Sequence, residues 1–292
     1  MNLKFFDAHT HVNLAAFRED YKETITRAFS HGVGMVNVGT QKDTSLRAVE
    51  IAREFPGSVY AAIGLHPVHV SKSFHDESEL GLGEAAKAFT SRGENFDYDF
   101  YKKLASDPKV VAIGECGLDY FRVESSKLEV VRDKQKETFL KQIELSHEVK
   151  KPLMIHCRNA PSANSGQAFA DLISTLSVMS HKLLVNPGII HFFSGTKEEA
   201  EKLVNLGFSF TFGGVITFAR DYDEVIKTIP LDRILSETDA PYVTPEPYRG
   251  KRNEPSYVVE VVKKLAEIKG ISVDEMADSI LANAKKIFSI NF

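Results

Sequence analysis

Two histidines stand two residues apart in Asp7-Ala8-His9-Thr10-His11, directly after the apolar start of the chain. Side chains alternate along an extended strand, so both imidazoles leave one face, and two neutral rings there can hold one metal ion. Four further ligand-type side chains lie where short apolar runs stop. Glu115 follows Ala112-Ile113-Gly114, His156 follows Leu153-Met154-Ile155, His191 follows Ile189-Ile190, and Asp239 lies just past Ile234-Leu235. An unpaired ionisable group is costly to bury in such places, and acids are seldom buried without a partner. Six such groups at the ends of five strands therefore predict one shared metal centre in preference to six separately satisfied side chains.

Positioning these groups requires strands that all end at one face. Runs rich in β-branched and aromatic residues occur at Phe5–His9, Met35–Val38, Tyr60–Gly64, Val110–Gly114, Leu153–His156, Ile189–Phe192, Ser209–Phe212 and Ile234–Glu237. Helical patterns such as Asp20–Ser30, Thr44–Glu54, Lys134–Val149, Glu198–Leu206 and Tyr257–Lys269 lie between and after them. Eight strands alternating with helices predict parallel βα units closed into a (β/α)8 TIM barrel. Val273–Ile287 is an extra C-terminal helix expected to pack outside it. An open doubly wound sheet would need a glycine-rich phosphate turn after the first strand, where this chain has Asp7–His11. The polar stretches Ser71–Phe96 and Pro161–Gln167 leave from the carboxyl face, where βα loops build active sites, and Ser71–Phe96 is expected to wall the mouth.

With 292 residues and 43% hydrophobic content, the chain can bury one large core, and a single domain over 1–292 is expected. The N-terminal apolar run is too short for a secretion signal, and no stretch is apolar enough to span a bilayer, so a soluble cytoplasmic protein is expected. The two cysteines, Cys116 and Cys157, lack framework spacing and suit a reducing compartment. Each follows a ligand-type residue, so alternation turns both thiols away from the metals. A net charge of −4 excludes a global basic field, leaving room only for local contact with nucleic acid.

The motifs around these residues resemble the signature segments of the TatD-type deoxyribonucleases, within the amidohydrolase-like superfamily. The resemblance rests on Asp7–His11, Gly64-Leu65-His66-Pro67, the stretch Gly114–Tyr120, Ile155-His156-Cys157-Arg158, His191–Gly195, Glu237–Tyr242 and Arg249–Pro255. They occur in family order from residue 5 to about 260. Any one segment is weak, and the ordered series is highly specific. The resemblance implies two divalent ions (Zn, Mn or Mg), one held by His9, His11 and Asp239, the other by His156 and His191, with Glu115 bridging them. It further implies a water activated between the ions, oriented and deprotonated by Asp239, and a 3′-to-5′ exodeoxyribonuclease acting on single strands or ends of DNA. The chain departs from the family pattern at Asn159, where an acid is usual, and in the length of Ser71–Phe96.

Other residues are assigned supporting parts. His66 is expected either to contact a phosphate or leaving group or to stand as a hydrogen-bonded histidine behind the ligands, and Arg158 either to lean toward a phosphate or to form a salt bridge at the rim. Arg249 and Arg252 can draw in a nucleic-acid end, in a segment where Asn253 and Pro255 also suit a helix start. Asp7 is expected to orient His9 or His11, and Glu237, on the face of Asp239, to support the ligands from behind. Tyr120, Phe121, Tyr242 and Tyr248 lie in the same loops and can either stack on bases or simply pack. Two other readings share these residues: an amidohydrolase-like enzyme for a small amide, lactone or phosphoester, and a barrel that binds nucleic acid without catalysis. Glu115 stands where many relatives in the wider superfamily carry a modified lysine, which favours the nuclease. No membrane partner or obligatory protein partner is indicated.

Overall fold

The structure is a computed structural model that describes residues 3–75, 89–121, 123, 128–161 and 167–292. Among the described residues ten strands occur in chain order: β1 (Phe5–Thr10), β2 (Val33–Val38), β3 (Val59–Ile63), β4 (Lys72–His75), β5 (Phe89–Arg92), β6 (Val110–Asp119), β7 (Leu153–Arg158), β8 (Gly188–Ile190), β9 (Ser209–Phe212) and β10 (Ile234–Ser236). Eight of them pair in parallel in the order β1-β2-β3-β6-β7-β8-β9-β10. Beyond the last paired residues β10 returns to β1. The Asp239 N–H donates to the His9 carbonyl at 2.9 Å, and the His11 N–H donates to the Ala240 carbonyl at 2.8 Å. The sheet is thus a nearly closed barrel, as the alternation of strands and helices predicts. Val, Ile and Phe from the eight barrel strands fill its interior and the layer beneath the helices, so those strands are buried along nearly their whole length.

The helices are α1 (Tyr21–Ser30), α2 (Lys42–Glu54), α3 (Tyr98–Leu104), α4 (Leu128–Val149), α5 (Ala168–Val178), α6 (Lys197–Asn205), α7 (Asp223–Thr228), α8 (Val258–Lys269) and α9 (Val273–Phe288). Their ends follow from local chemistry. Thr196 and Glu199 form a capping box at the start of α6, Ser272 accepts the Glu275 N–H at 3.1 Å to start α9, and Gly270 ends α8 at φ 68°. The last helix does more than lie along the outside. The Phe288 and Phe292 rings pack on Phe6, and Asn283 donates to the carbonyls of Leu231 and Ile234. It therefore caps the amino end of the barrel, opposite the ligand-type residues.

The Ser71–Phe96 region contains an antiparallel hairpin, with Lys72 opposite Arg92 and His75 opposite Phe89. Its centre, 76–88, lies outside the described residues, as does 162–166 of the second insertion. Helix α4 positions two pieces of the mouth. Gln135 accepts from the Asp119 N–H at 2.9 Å and donates to its carbonyl at 2.8 Å, while Gln142 does the same for Leu65 at 2.9 and 3.0 Å. Seven residues apart, the two amides share one face of the helix. They pin the ends of β6 and of the segment carrying His66. Among the described residues, no helix is long and apolar enough to cross a membrane.

Candidate metal centre

At the carboxyl end of the barrel one carboxylate stands among five imidazoles. Oε1 of Glu115 lies 2.8 Å from Nε2 of His191, 3.0 Å from Nδ1 of His156 and 3.1 Å from Nε2 of His66. Its other oxygen, Oε2, faces Nε2 of His9 at 3.5 Å and Nε2 of His11 at 3.6 Å. Asp239 closes the second side, with Oδ1 3.3 Å from His11 Nε2 and 3.6 Å from His9 Nε2. All six side chains expected as ligands thus meet in one place, carried by β1, β6, β7 and the ends of β8 and β10. Asp239 reaches it from φ 53°, a left-handed conformation that costs a non-glycine residue of order 1–3 kcal/mol and is offset here by its backbone bond to His9.

Whether these residues suit a cation can be read from their other ring atoms. His11 Nδ1 lies 2.9 Å from the Val38 carbonyl, which accepts only from an N–H, so a neutral His11 turns a bare Nε2 toward the Nε2 of His9, 3.0 Å away. His156 Nε2 lies 2.8 Å from Oδ2 of Asp119, which leaves its Nδ1 lone pair aimed at Glu115 and 3.2 Å from Nε2 of His191. Bare imidazole nitrogens converging on a buried carboxylate are the donors a divalent cation takes, so the residues fit metal; without one, an Nε2–H of His9 or His191 can answer each lone pair. His66 differs, because its Nδ1 accepts the Val68 N–H at 3.1 Å, so in the neutral ring Nε2 carries the proton and acts as a donor. Behind the rings, Glu237 receives a short hydrogen bond from Thr211 and comes within 3.6 Å of His191 Nδ1. The ring of His191 stacks on that of His9 at 3.9 Å.

The charges respond to this crowding. Burial opposes ionisation of Glu115, but His66, His191 and His156 outweigh it and hold its pKa well below the ordinary value. Burial likewise disfavours a charged His191, yet Glu115 and Glu237 raise it well above 6.5. His11 and His156 are raised against burial, by Asp239 and by Asp119 with Glu115 respectively. His9 is lowered by burial and by its neighbour His191. Asp119 is held at about 2: burial would raise it, and the contact with His156 prevails.

The remaining sequence expectations divide. Asp7 does not reach either ring. Its Oδ1 accepts the backbone N–H of Thr238 at 2.9 Å and of His9 at 3.3 Å, and its Oδ2 accepts the Thr238 hydroxyl at 2.5 Å. It is buried beneath the rings and fastens β10 to β1, so the expected contact with an imidazole is replaced by one with the backbone. Arg252 is withdrawn from the substrate. Its guanidinium forms a bidentate pair with Asp20 at 2.9 and 2.6 Å and donates to the Ala16 carbonyl at 2.6 Å, so its donors are committed to the fold. Arg158 and Arg249 stay at the mouth, over the rings of Phe121 and Phe218. Tyr120 packs, its hydroxyl 2.9 Å from Asp171, and Tyr248 stacks on Tyr257. Cys116 and Cys157 are buried free thiols. Asp119 was not singled out from the sequence, although it lies four residues beyond Glu115 in the same run and alternation puts it on the same face.

A barrel with a buried imidazole–carboxylate cluster at its carboxyl end defines the class: a TIM-barrel protein built to hold metal. The TatD related DNase family model matches residues 6–289. The metal-dependent hydrolase YabD of Bacillus subtilis is 39% identical, over 98% of this chain and 99% of its own. The 3′-5′ ssDNA/RNA exonuclease TatD of a Rahnella strain is 31% identical, over 98% of each chain. Among solved structures, the TatD homologue YJJV of Escherichia coli is 27% identical and superposes with a TM-score of 0.80 over 100% of both chains. This chain belongs to the TatD related DNase family.

Proposed function

We propose that this chain, a metal-dependent hydrolase of the TatD family, cleaves phosphodiester bonds of DNA, removing nucleotides from the 3′ end of single strands. One observation carries the reading: the two oxygens of Glu115 face two separate groups of imidazoles. His9, His11 and Asp239 would hold one ion, His156 and His191 a second, and Glu115 one oxygen to each. A donor set this rich in nitrogen suits zinc or manganese better than magnesium. Bound divalent ions would act as Lewis acids, lowering the pKa of water toward roughly 7 and offsetting charge on the phosphoryl oxygens.

The side chains then divide the work. Asp239 is ionised, because His11, His9 and His191 outweigh the effect of burial, and its side chain is 17% exposed where that of Glu115 is 4%. It is the acid that can orient a water from the mouth and accept its proton. His66 presents an Nε2–H at the opposite edge of Glu115 and can turn it to a phosphate or leaving oxygen. Glu237 and Asp119 support the rings of His191 and His156 from behind.

The test is digestion of an end-labelled single-stranded oligonucleotide by metal-stripped protein with Mg²⁺, Mn²⁺ or Zn²⁺ restored singly. Nucleotide release with at least one ion is expected, with the Asp239→Asn variant slower by more than about 100-fold. No cleavage with any ion would reject the nuclease and move the search to small esters and amides. An Asp239→Asn rate within tenfold of the parent would reject the role of that residue.

A further inference from the structure

Three arginines follow the ligand-type residues in the loops at the mouth, and the structure separates them by what their guanidinium groups touch. Arg252 is held by a bidentate pair with Asp20 and a bond to the Ala16 carbonyl. Arg158 has no carboxylate within ion-pair distance and no hydrogen-bond acceptor among the described residues, and its guanidinium lies 3.5 Å above the ring of Phe121. Arg249 likewise has no ion-pair partner among the described residues. It spends one donor on the Thr244 carbonyl at 2.9 Å and lies 3.9 Å from the centroid of Phe218, which is 41% exposed. A guanidinium held over a ring face by a cation–π contact leaves donors that its neighbours do not use, and a guanidinium can receive phosphate oxygens in pairs. In a chain of net charge −4, two cations at one rim with no ion-pair partner among the described residues are a local concentration of positive charge.

Their positions tie them to the metal centre. Arg158 follows His156 by two residues at the end of β7, hence on the same face and roughly 7 Å further out. Its charge acts on Asp119, the partner of His156. Phe218 ends the turn after β9. That turn starts at Gly213, packed against Phe192 and Glu237, and is strapped to the β10 loop by the Glu246 N–H donated to Thr217. One pair therefore bridges the β6 and β7 loops, the other the β9 and β10 loops, on either side of the β8 end that carries His191. They are two to three strand spacings apart, on the order of 10–15 Å. A single small phosphodiester cannot span that.

We propose that Arg158 on Phe121 and Arg249 on Phe218 are two phosphate-gripping platforms that hold one polynucleotide strand across the mouth, with a base able to stack on the exposed ring of Phe218. The inference rests on the phosphodiesterase reading for its substrate, and it names the residues that make a strand a better ligand than a small ester.

The test is equilibrium binding of a fluorescent, phosphorothioate-linked single strand to the metal-loaded protein over a series of salt concentrations, with turnover of the ordinary strand read on the same samples. Each single-strand phosphate contact contributes about 0.7 to the slope of log K against log salt. Arg158→Gln and Arg249→Gln are each expected to flatten the slope by about 0.7, and the double variant by about 1.4. Phe218→Ala is expected to weaken binding at least about fivefold with the slope unchanged. Lys263→Gln, an exposed cation on α8 paired with Glu260, is expected to leave the slope alone. Melting curves and metal content are measured for each variant. A double variant with the parent's slope, or a Lys263→Gln slope that falls equally, overturns the platforms. If the parent cleaves while the arginine variants keep the parent's slope, the platforms fall and the nuclease stands. Arginine-dependent binding without cleavage under any ion leaves the platforms standing and removes the nuclease.

Discussion

Replacing Asp119 by Asn changes one atom and should change which face of His156 can bind metal. Both carboxylate oxygens are in use: Oδ2 accepts from His156 Nε2 at 2.8 Å, and Oδ1 accepts from the Phe121 N–H at 2.9 Å. Asparagine has one acceptor oxygen. If it keeps Phe121, its NH2 faces His156 Nε2, which must then become the lone pair, and the proton moves to Nδ1, pointing at Glu115 Oε1. If it keeps His156, the half-buried Phe121 N–H loses its acceptor. Losing a buried hydrogen bond to a charged partner costs about 1.5–3 kcal/mol. The same range follows from the 10–100-fold loss of metal affinity that such supporting residues typically control, about 1.4–2.7 kcal/mol. The expected result, from competition with a chromophoric chelator, is one ion per chain weakened 10–100-fold and the ion at His9 and His11 nearly unaffected. Parent-like affinity for both ions would show that Asp119 does not set the tautomer of His156, and the lone-pair argument for this half of the site would fail.

Glu115→Ala is expected to lower metal content below two ions per chain because both oxygens of the bridge are lost; two ions retained on elemental analysis would reject the bridge. In the metal-free chain His11, His156 and His191 have pKa values raised above 6.5. Their contribution to stability is present below 6.5 and is lost as pH rises through the raised values, whereas His9 and His66, lowered from 6.5, are neutral in both states above it and add no slope there. The melting temperature without metal should therefore fall above pH 6.5, and added Mn²⁺ or Zn²⁺ should reverse the trend, since binding displaces those protons. A metal-free melting temperature that climbs steadily over the same interval would contradict the charge assignment. Arg252→Ala should cost about 2 kcal/mol by removing the half-exposed pair with Asp20 and the bond to Ala16, with metal content unchanged. Denaturation midpoint and elemental analysis check both halves of that statement, and reduced metal content would place Arg252 closer to the site than its contacts indicate.

The barrel and the positions of its ligand-type residues were legible in the sequence because both rest on periodicity. Strands alternating with helices leave one parallel solution when no phosphate turn follows the first strand, and a ligand-type side chain just past an apolar run falls at the mouth whatever the details. What each residue touches was decided only by the tertiary structure. Asp7 and Glu237 look alike as acids beside ligands, yet one grips the Thr238 and His9 backbone and the other stands behind the stacked His9 and His191 rings. Arg158, Arg249 and Arg252 look alike as cations, yet only Arg252 meets Asp20, 232 residues away in the chain. Asp119 gained its part from the turn of His156 on the neighbouring strand, and its place from Gln135 on α4. Alternation fixes the face from which a side chain leaves, a local property of backbone geometry. Hydrogen-bond partners depend on which distant groups the closed barrel brings within about 3 Å, and that distance does not exist until the chain has folded.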